Sequence, residues 1–174
     1  ALLVGYFLKD ALEELFRTPL LAAAIRLFAA AALLSLAEWL GKRSRTANEM
    51  TWLDALYVGL FQVFAVFPGA SRSGSAIAGG MLRGFTREAS ARFAFLMSIP
   101  VMLAAGAYES LDLFQMAGLA EFIPALIVGF LTAAFVGWLA IRWLMAYLNK
   151  NSLYSFVIYC VALGSILLGV YFFS

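Results

Sequence analysis

Phe67-Pro68-Gly69-Ala70-Ser71-Arg72-Ser73-Gly74-Ser75 is a polar, arginine-bearing turn set between two strongly apolar stretches. An arginine near the middle of a bilayer costs roughly 3 kcal/mol on insertion scales, so a fold that keeps one there uses it to hold an anion, an ion path or a buried partner. Upstream, Thr51 to Phe67 is an apolar run that Pro68-Gly69 brings to a stop. Downstream, Ser71 to Leu82 is short and rich in small residues. Proline followed by glycine ends a helix, and neither half is long enough to cross a membrane comfortably. The pattern over 51–82 therefore predicts a re-entrant helical hairpin, a helix broken at the turn.

Composition places that hairpin in a membrane. Of 174 residues, 64% are hydrophobic and only 13% charged, where an ordinary soluble domain is roughly half apolar and a quarter charged. The net charge of +2 gives no argument for a nucleic-acid partner. The absence of histidine removes the commonest general base and metal ligand from this chain. The single cysteine, Cys160, excludes an internal disulfide. An apolar run from Ala1 to Leu8 stops at Lys9-Asp10 without the basic start of a signal peptide. It reads as the end of a transmembrane helix whose beginning is missing, and the chain as the C-terminal part of a longer one.

Four stretches reach the roughly 20 residues that a bilayer crossing requires: Pro19 to Trp39, Arg87 to Tyr108, Phe122 to Tyr147 and Leu153 to Phe173. The expected fold class is an all-α polytopic membrane protein, a single domain over 1–174. Basic residues gather at Lys42, Arg43, Arg45, Arg83, Arg87, Arg142 and Lys150, and acidic ones at Asp10, Glu13, Glu14, Glu109, Asp112 and Glu121. The positive-inside rule puts the basic set in the cytoplasm. That orientation holds for every loop only if the hairpin enters and leaves on the cytoplasmic side.

The turn has a chemistry of its own. Ser71 is placed to cap the second half-helix, with backbone N–H groups around Arg72, Ser73 and Gly74 turned toward the break. A helix start of this kind carries partial positive charge, and broken membrane helices use it for anionic substrates. Arg72 adds a planar guanidinium suited to phosphate oxygens, and Ser71, Ser73 and Ser75 add hydroxyls. Gly69 and Gly74 allow the backbone to approach a ligand. The stretch reads as a phosphate or diphosphate cradle, with a plain interfacial loop and a solvated arginine as the alternative. Elsewhere the expectations are modest. Arg26 and Glu38 are expected to snorkel from the ends of their helix. Asp10 and Glu14, four apart, either share a metal or form a solvated outer loop, the latter favoured because no third ligand accompanies them. Asp54 and Gln62 share one face of the first half-helix and either line the site or make helix-start and interhelical hydrogen bonds. The Gly80 to Gly84 spacing permits close helix packing.

These residues carry a resemblance. The run Phe67 to Ser73, continuing through Gly79-Gly80-Met81-Leu82 to Arg87-Glu88-Ala89-Ser90-Ala91-Arg92-Phe93 and Ser98-Ile99-Pro100, resembles the second signature of the undecaprenyl-diphosphate phosphatases, the bacitracin-resistance family. Leu8-Lys9-Asp10 with Glu13-Glu14 is similar to that family's connector. The family's threonine position falls on Ala76. Its first signature, E-x-x-x-E leading into P-I-S-S-T-G-H, does not occur, and the positions matching its two glutamates are Phe61 and Ala65.

The resemblance implies one half of an inverted-repeat architecture, hydrolysing undecaprenyl diphosphate to the monophosphate and phosphate at the outer face of the bacterial plasma membrane. It implies Arg72, Ser71 and Ser73 as catalytic residues, with Gly69, Gly74 and Ser75 binding substrate. It further implies a divalent cation, Mg²⁺ or Ca²⁺, held by ligands outside this chain. The expected partners are the polyprenyl diphosphate, membrane lipid, the missing N-terminal repeat and a second copy in a homodimer. The alternative from another class is a lipid-carrier or anion transporter, since inverted repeats with broken helices are a transporter plan too. A purely structural membrane subunit is the third.

Overall fold

The computed structural model describes residues 19–62, 71–113 and 119–173. The expectations placed on Asp10, Glu13, Glu14, Ala65, Pro68 and Gly69 lie outside the described residues. Among the described residues six α-helices follow one another: α1 (Pro19–Leu40), α2 (Trp52–Phe61), α3 (Arg72–Leu82), α4 (Arg87–Leu113), α5 (Leu119–Lys150) and α6 (Tyr154–Phe173). A 3-10 turn, Ala47–Glu49, sits in the α1–α2 loop. Helices α1, α4, α5 and α6 are long and apolar enough to cross a bilayer, and α2 and α3 are not. The chain is an all-α polytopic membrane protein.

The observed helices follow the apolar runs and overrun them. Helices α4 and α5 extend past the expected ends at Tyr108 and Tyr147 because nothing in their polar flanks terminates a helix. Helix α2 is shorter than the apolar run containing it, closing at Gln62 with its N–H on Gly59 and Leu60 carbonyls. Its start is a capping box, in which Thr51 and Asp54 exchange side-chain-to-backbone hydrogen bonds.

Helix α1 packs along α6, antiparallel, as Glu38 beside Leu153 at one end and Phe28 against Gly164 further along require. Helix α3 inserts between α1 and α4, and α2 lies antiparallel on α3. A core of Leu34, Ala37, Val58, Ala76, Ile77 and Met81, with residues from α4 and the α5–α6 corner, joins these elements. Helix α5 leans mainly on α4 and leaves large apolar residues such as Phe130, Phe135 and Trp138 exposed, as a lipid-facing helix does.

Close approach around α3 depends on small residues. A Cβ at Gly80 would lie 2.7 Å from Ser90 Oγ and 3.2 Å from Ser90 Cα, and one at Gly79 would lie 2.8 Å from the Phe61 ring. At the end of α1, a Cβ on Gly41 would meet the Ala37 and Met81 carbonyl oxygens at 2.6 and 2.9 Å. The expected packing role of Gly80 is therefore met by its contact with α4. Gly84 differs: its φ of 85° sets the turn from α3 into α4.

Overpacking of this kind costs about 1–3 kcal/mol. Gly80→Val is expected to push α3 from α4 and lower the thermal midpoint in detergent by several degrees. Gly106→Ala, where no atom lies within 4 Å of the added carbon, should leave the midpoint within about a degree. Differential scanning fluorimetry on both variants checks the pair.

Candidate functional site

Two buried carboxylates organise one end of the bundle, Asp54 joining the start of α2 to the end of α3 and Glu38 joining α1 to the start of α4 and the corner before α6. Asp54, fully buried, accepts from Arg45 Nη1 and Nη2 at 3.1 and 2.7 Å and from Arg83 Nε at 2.8 Å. Glu38, almost as buried, accepts from Arg43 Nη1 at 2.7 Å, from Arg87 through Nε and Nη2, and from the Leu153 N–H. The loops carrying these arginines are stitched by backbone bonds, Arg45 N–H to Gly84 O and Thr86 N–H to Arg45 O, both 2.9 Å. Arg45 also lies over the Phe85 ring, 4.2 Å from its centre. The expectation that Glu38 snorkels is corrected: it turns inward, because two guanidinium groups compensate its burial. Asp54 takes the helix-start alternative and lies away from the turn.

From this charged end α2 and α3 lie side by side into the bundle. At 1.5 Å per residue, the 11-residue α3 carries its start about 16 Å away. There Ser71 caps the helix as expected, its Oγ accepting from Gly74 N–H at 3.0 Å while Ser75 N–H reaches Ser71 O at 2.9 Å. Gly74 N–H is thus already satisfied, which leaves Arg72 and Ser73 as the first-turn donors ahead of the helical ladder. Ser71 Oγ, accepting from below, keeps its own proton to donate, and Ser73 Oγ lies 3.5 Å from it. A Cβ on Gly74 would come within 2.8 Å of Ser71 Oγ, so that glycine makes room for the cap itself.

The helix start divides two cavities. One, of about 830 Å³, holds Ser71, Ser73, Gly74 and Ser75 beside Arg26, and most of its other described walls are apolar, among them Leu33, Leu148 and Phe156. The other, of about 430 Å³, holds Ser71 and Ser73 beside Arg72, Gln62 and Ser98. The sequence-expected residues Arg72, Ser71, Ser73, Gly74 and Ser75 thus assemble in one place. Of the Asp54 and Gln62 pair, only Gln62 reaches it. Ala76 is buried in the core.

Two contributors escaped the sequence reading. Arg26 lines the larger cavity with Nε and Nη2 shielded from solvent, which corrects the expectation of a snorkelling side chain. Its signal was available: twelve residues before Glu38 places it about 18 Å from the charged end, level with the start of α3. Ser98 lies in the run that carries the family resemblance, but its place at the site comes only from the packing of α4 on α3, which brings it to Arg72.

Among the described residues, no cluster of acidic residues and cysteine capable of holding a metal ion occurs. The groups at the helix start are hydroxyls, an amide and a guanidinium, a set that suits an anion and does not fit Mg²⁺ or Ca²⁺.

The family described as Bacitracin resistance protein BacA matches residues 1–166. The chain belongs to that family. Among curated relatives, the undecaprenyl-diphosphatase of Mycobacterium ulcerans is 38% identical over 95% of this chain and 60% of its own length. That of Nitrosococcus oceani is 37% identical over 99% of this chain and 63% of its own length. That of Anaeromyxobacter sp. is 40% identical over 95% of this chain and 56% of its own. The chain therefore spans about 60% of the length of the curated relatives it matches.

Arg45, then Thr51 and Arg83, hold the Asp54 carboxyl well below the usual carboxylate range against the opposing effect of burial. A lowered folded-state value means stability that is complete above the unfolded value of about 3.9 and lost as pH falls through the folded one. The thermal midpoint is expected to drop below about pH 4, and Asp54→Asn to lower the midpoint at pH 7 while flattening that acid dependence. A pH series of melting curves for both proteins checks the sign.

Proposed function

We propose that this chain supplies the diphosphate-binding part of an undecaprenyl-diphosphate phosphatase, which releases inorganic phosphate and undecaprenyl phosphate for reuse as the cell-wall lipid carrier. The single observation carrying the proposal is the capped start of α3, where Ser71, Arg72 and Ser73 meet at mid-bundle depth beside an apolar cavity. A polyprenyl diphosphate has those two needs, anion donors for the head and an apolar wall for the tail. Family membership and the names of the curated relatives support the same reading.

In the reaction, water oxygen bonds to the terminal phosphorus and the bridging oxygen leaves with the polyprenyl phosphate. Negative charge on the phosphate oxygens has to be met by fixed donors in a site from which bulk water is excluded. Arg72 is the phosphate clamp. Ser71 donates its hydroxyl proton, Ser73 its hydroxyl and N–H, and the positive end of α3 adds to both. Gly74 and Ser75 line the binding side, and Gly69 belongs to the same proposed set. A divalent cation, Mg²⁺ or Ca²⁺, and the groups that activate water are assigned to the part of the protein outside this chain.

The hairpin at 51–82 is proposed to be re-entrant from the cytoplasmic side. This follows from the basic residues at the end where α2 begins and α3 finishes. The site then opens toward the outer face of the bacterial plasma membrane. The N-terminal repeat and a second copy are the proposed protein partners.

Removing one such donor costs about 10²-fold or more in rate. Arg72→Ala in the full-length protein is expected to lose at least that much phosphate release from undecaprenyl diphosphate in detergent with Mg²⁺ or Ca²⁺ present. A full-length wild-type protein that releases no phosphate under those conditions would sink the enzymatic reading, and transport of the lipid carrier would replace it.

A further inference from the structure

We propose that Arg26 is a second phosphate-binding residue, holding the other phosphate of the diphosphate across the start of α3 from Arg72. This assignment rests on the phosphatase reading and deepens it. Ser71 and Ser73 line both cavities, and among the described lining residues each cavity has one arginine: Arg26 in the larger, Arg72 in the smaller. The serine pair is thus a ridge between two guanidinium groups. Arg26 is the charged residue among the described lining of the larger cavity, whose other walls are hydroxyl, thiol and apolar.

The chemistry of the substrate asks for this division. A diphosphate presents two groups of anionic oxygens on one bridging oxygen, and a planar guanidinium engages one such group at a time through paired N–H donors. With Arg72 on the terminal phosphate, which departs, the phosphate that stays on the lipid needs its own cation on the side where the tail lies. Arg26 is on that side: the cavity it lines continues along Leu33, Ile77, Leu148 and Phe156. Its place on α1, rather than on the broken pair, lets the lipid-linked phosphate be held while the terminal one leaves.

The assignment predicts discrimination between one phosphate and two. In the full-length protein, Arg26→Gln is expected to weaken inorganic pyrophosphate binding about tenfold or more while changing inorganic phosphate binding less. It should raise KM for undecaprenyl diphosphate by a similar factor with a smaller change in kcat, and Arg26→Lys should recover part of the loss. A folded Arg26→Gln protein with unchanged pyrophosphate affinity and unchanged KM overturns the proposal.

A measurement on the wild-type protein covers a variant that does not fold. Modification of arginines by phenylglyoxal, mapped by mass spectrometry, should be slowed at both Arg26 and Arg72 by pyrophosphate. Protection of Arg72 alone counts against Arg26. Protection of both without phosphate release keeps the two-arginine site and discards the hydrolytic reading. Phosphate release with Arg26 unprotected does the reverse.

Discussion

Everything at the site depends on charge pairing that takes place far from it. Glu38 and Asp54 are buried carboxylates in a chain that has little polar surface to share, and each is held by two arginines. A buried pair of this kind adds little net stability over an apolar one, but breaking it by removing one partner costs about 3–5 kcal/mol. Its value here is positional. Glu38 joins α1 to the start of α4 and to the corner leading into α6, while Asp54 joins the start of α2 to the end of α3. With the start of α2 and the end of α3 anchored at one end of the bundle, the length of each helix helps to set how deep its other end lies.

Small residues turn that anchorage into a defined position. Gly79 and Gly80 bring α3 against Phe61 and Ser90, and Gly41 brings the end of α1 against Met81. In an apolar solvent, helices gain no hydrophobic driving force from association, so contact depends on backbones approaching closely enough for dispersion and polar pairing. The result is a short helix held on three sides, α1, α2 and α4, with its N-terminal turn left facing cavities. The rigid support matters because a helix terminus attracts an anion only over its first turn.

Much of this was legible in the sequence. The four long helices among the described residues followed from apolar runs of lipid length, and the shortness of α2 and α3 from runs too short to cross. Ser71 as a cap followed from its place before a helix-forming segment, and the structure bears it out. The two errors have a common cause. Glu38 and Arg26 were judged by their distance from a helix end, and a single helix offers a charged side chain no option except snorkelling. Neighbouring helices offer others. Glu38 finds Arg87, forty-nine residues away, and Arg26 finds a cavity built from α1, α3, α5 and α6.

The sequence by itself determined the class of molecule, the four long apolar helices among the described residues and Ser71 as the cap of α3. Each is a local property of hydropathy, helix-breaking residues or capping. Tertiary structure decided which charges are paired, that Asp54 and Gln62 serve opposite ends of one helix, and that Ser98 and Arg26 join Ser71 and Ser73. Those outcomes depend on how far α3 inserts between α1 and α4, a distance set by ion pairs and glycine contacts between segments remote in the chain.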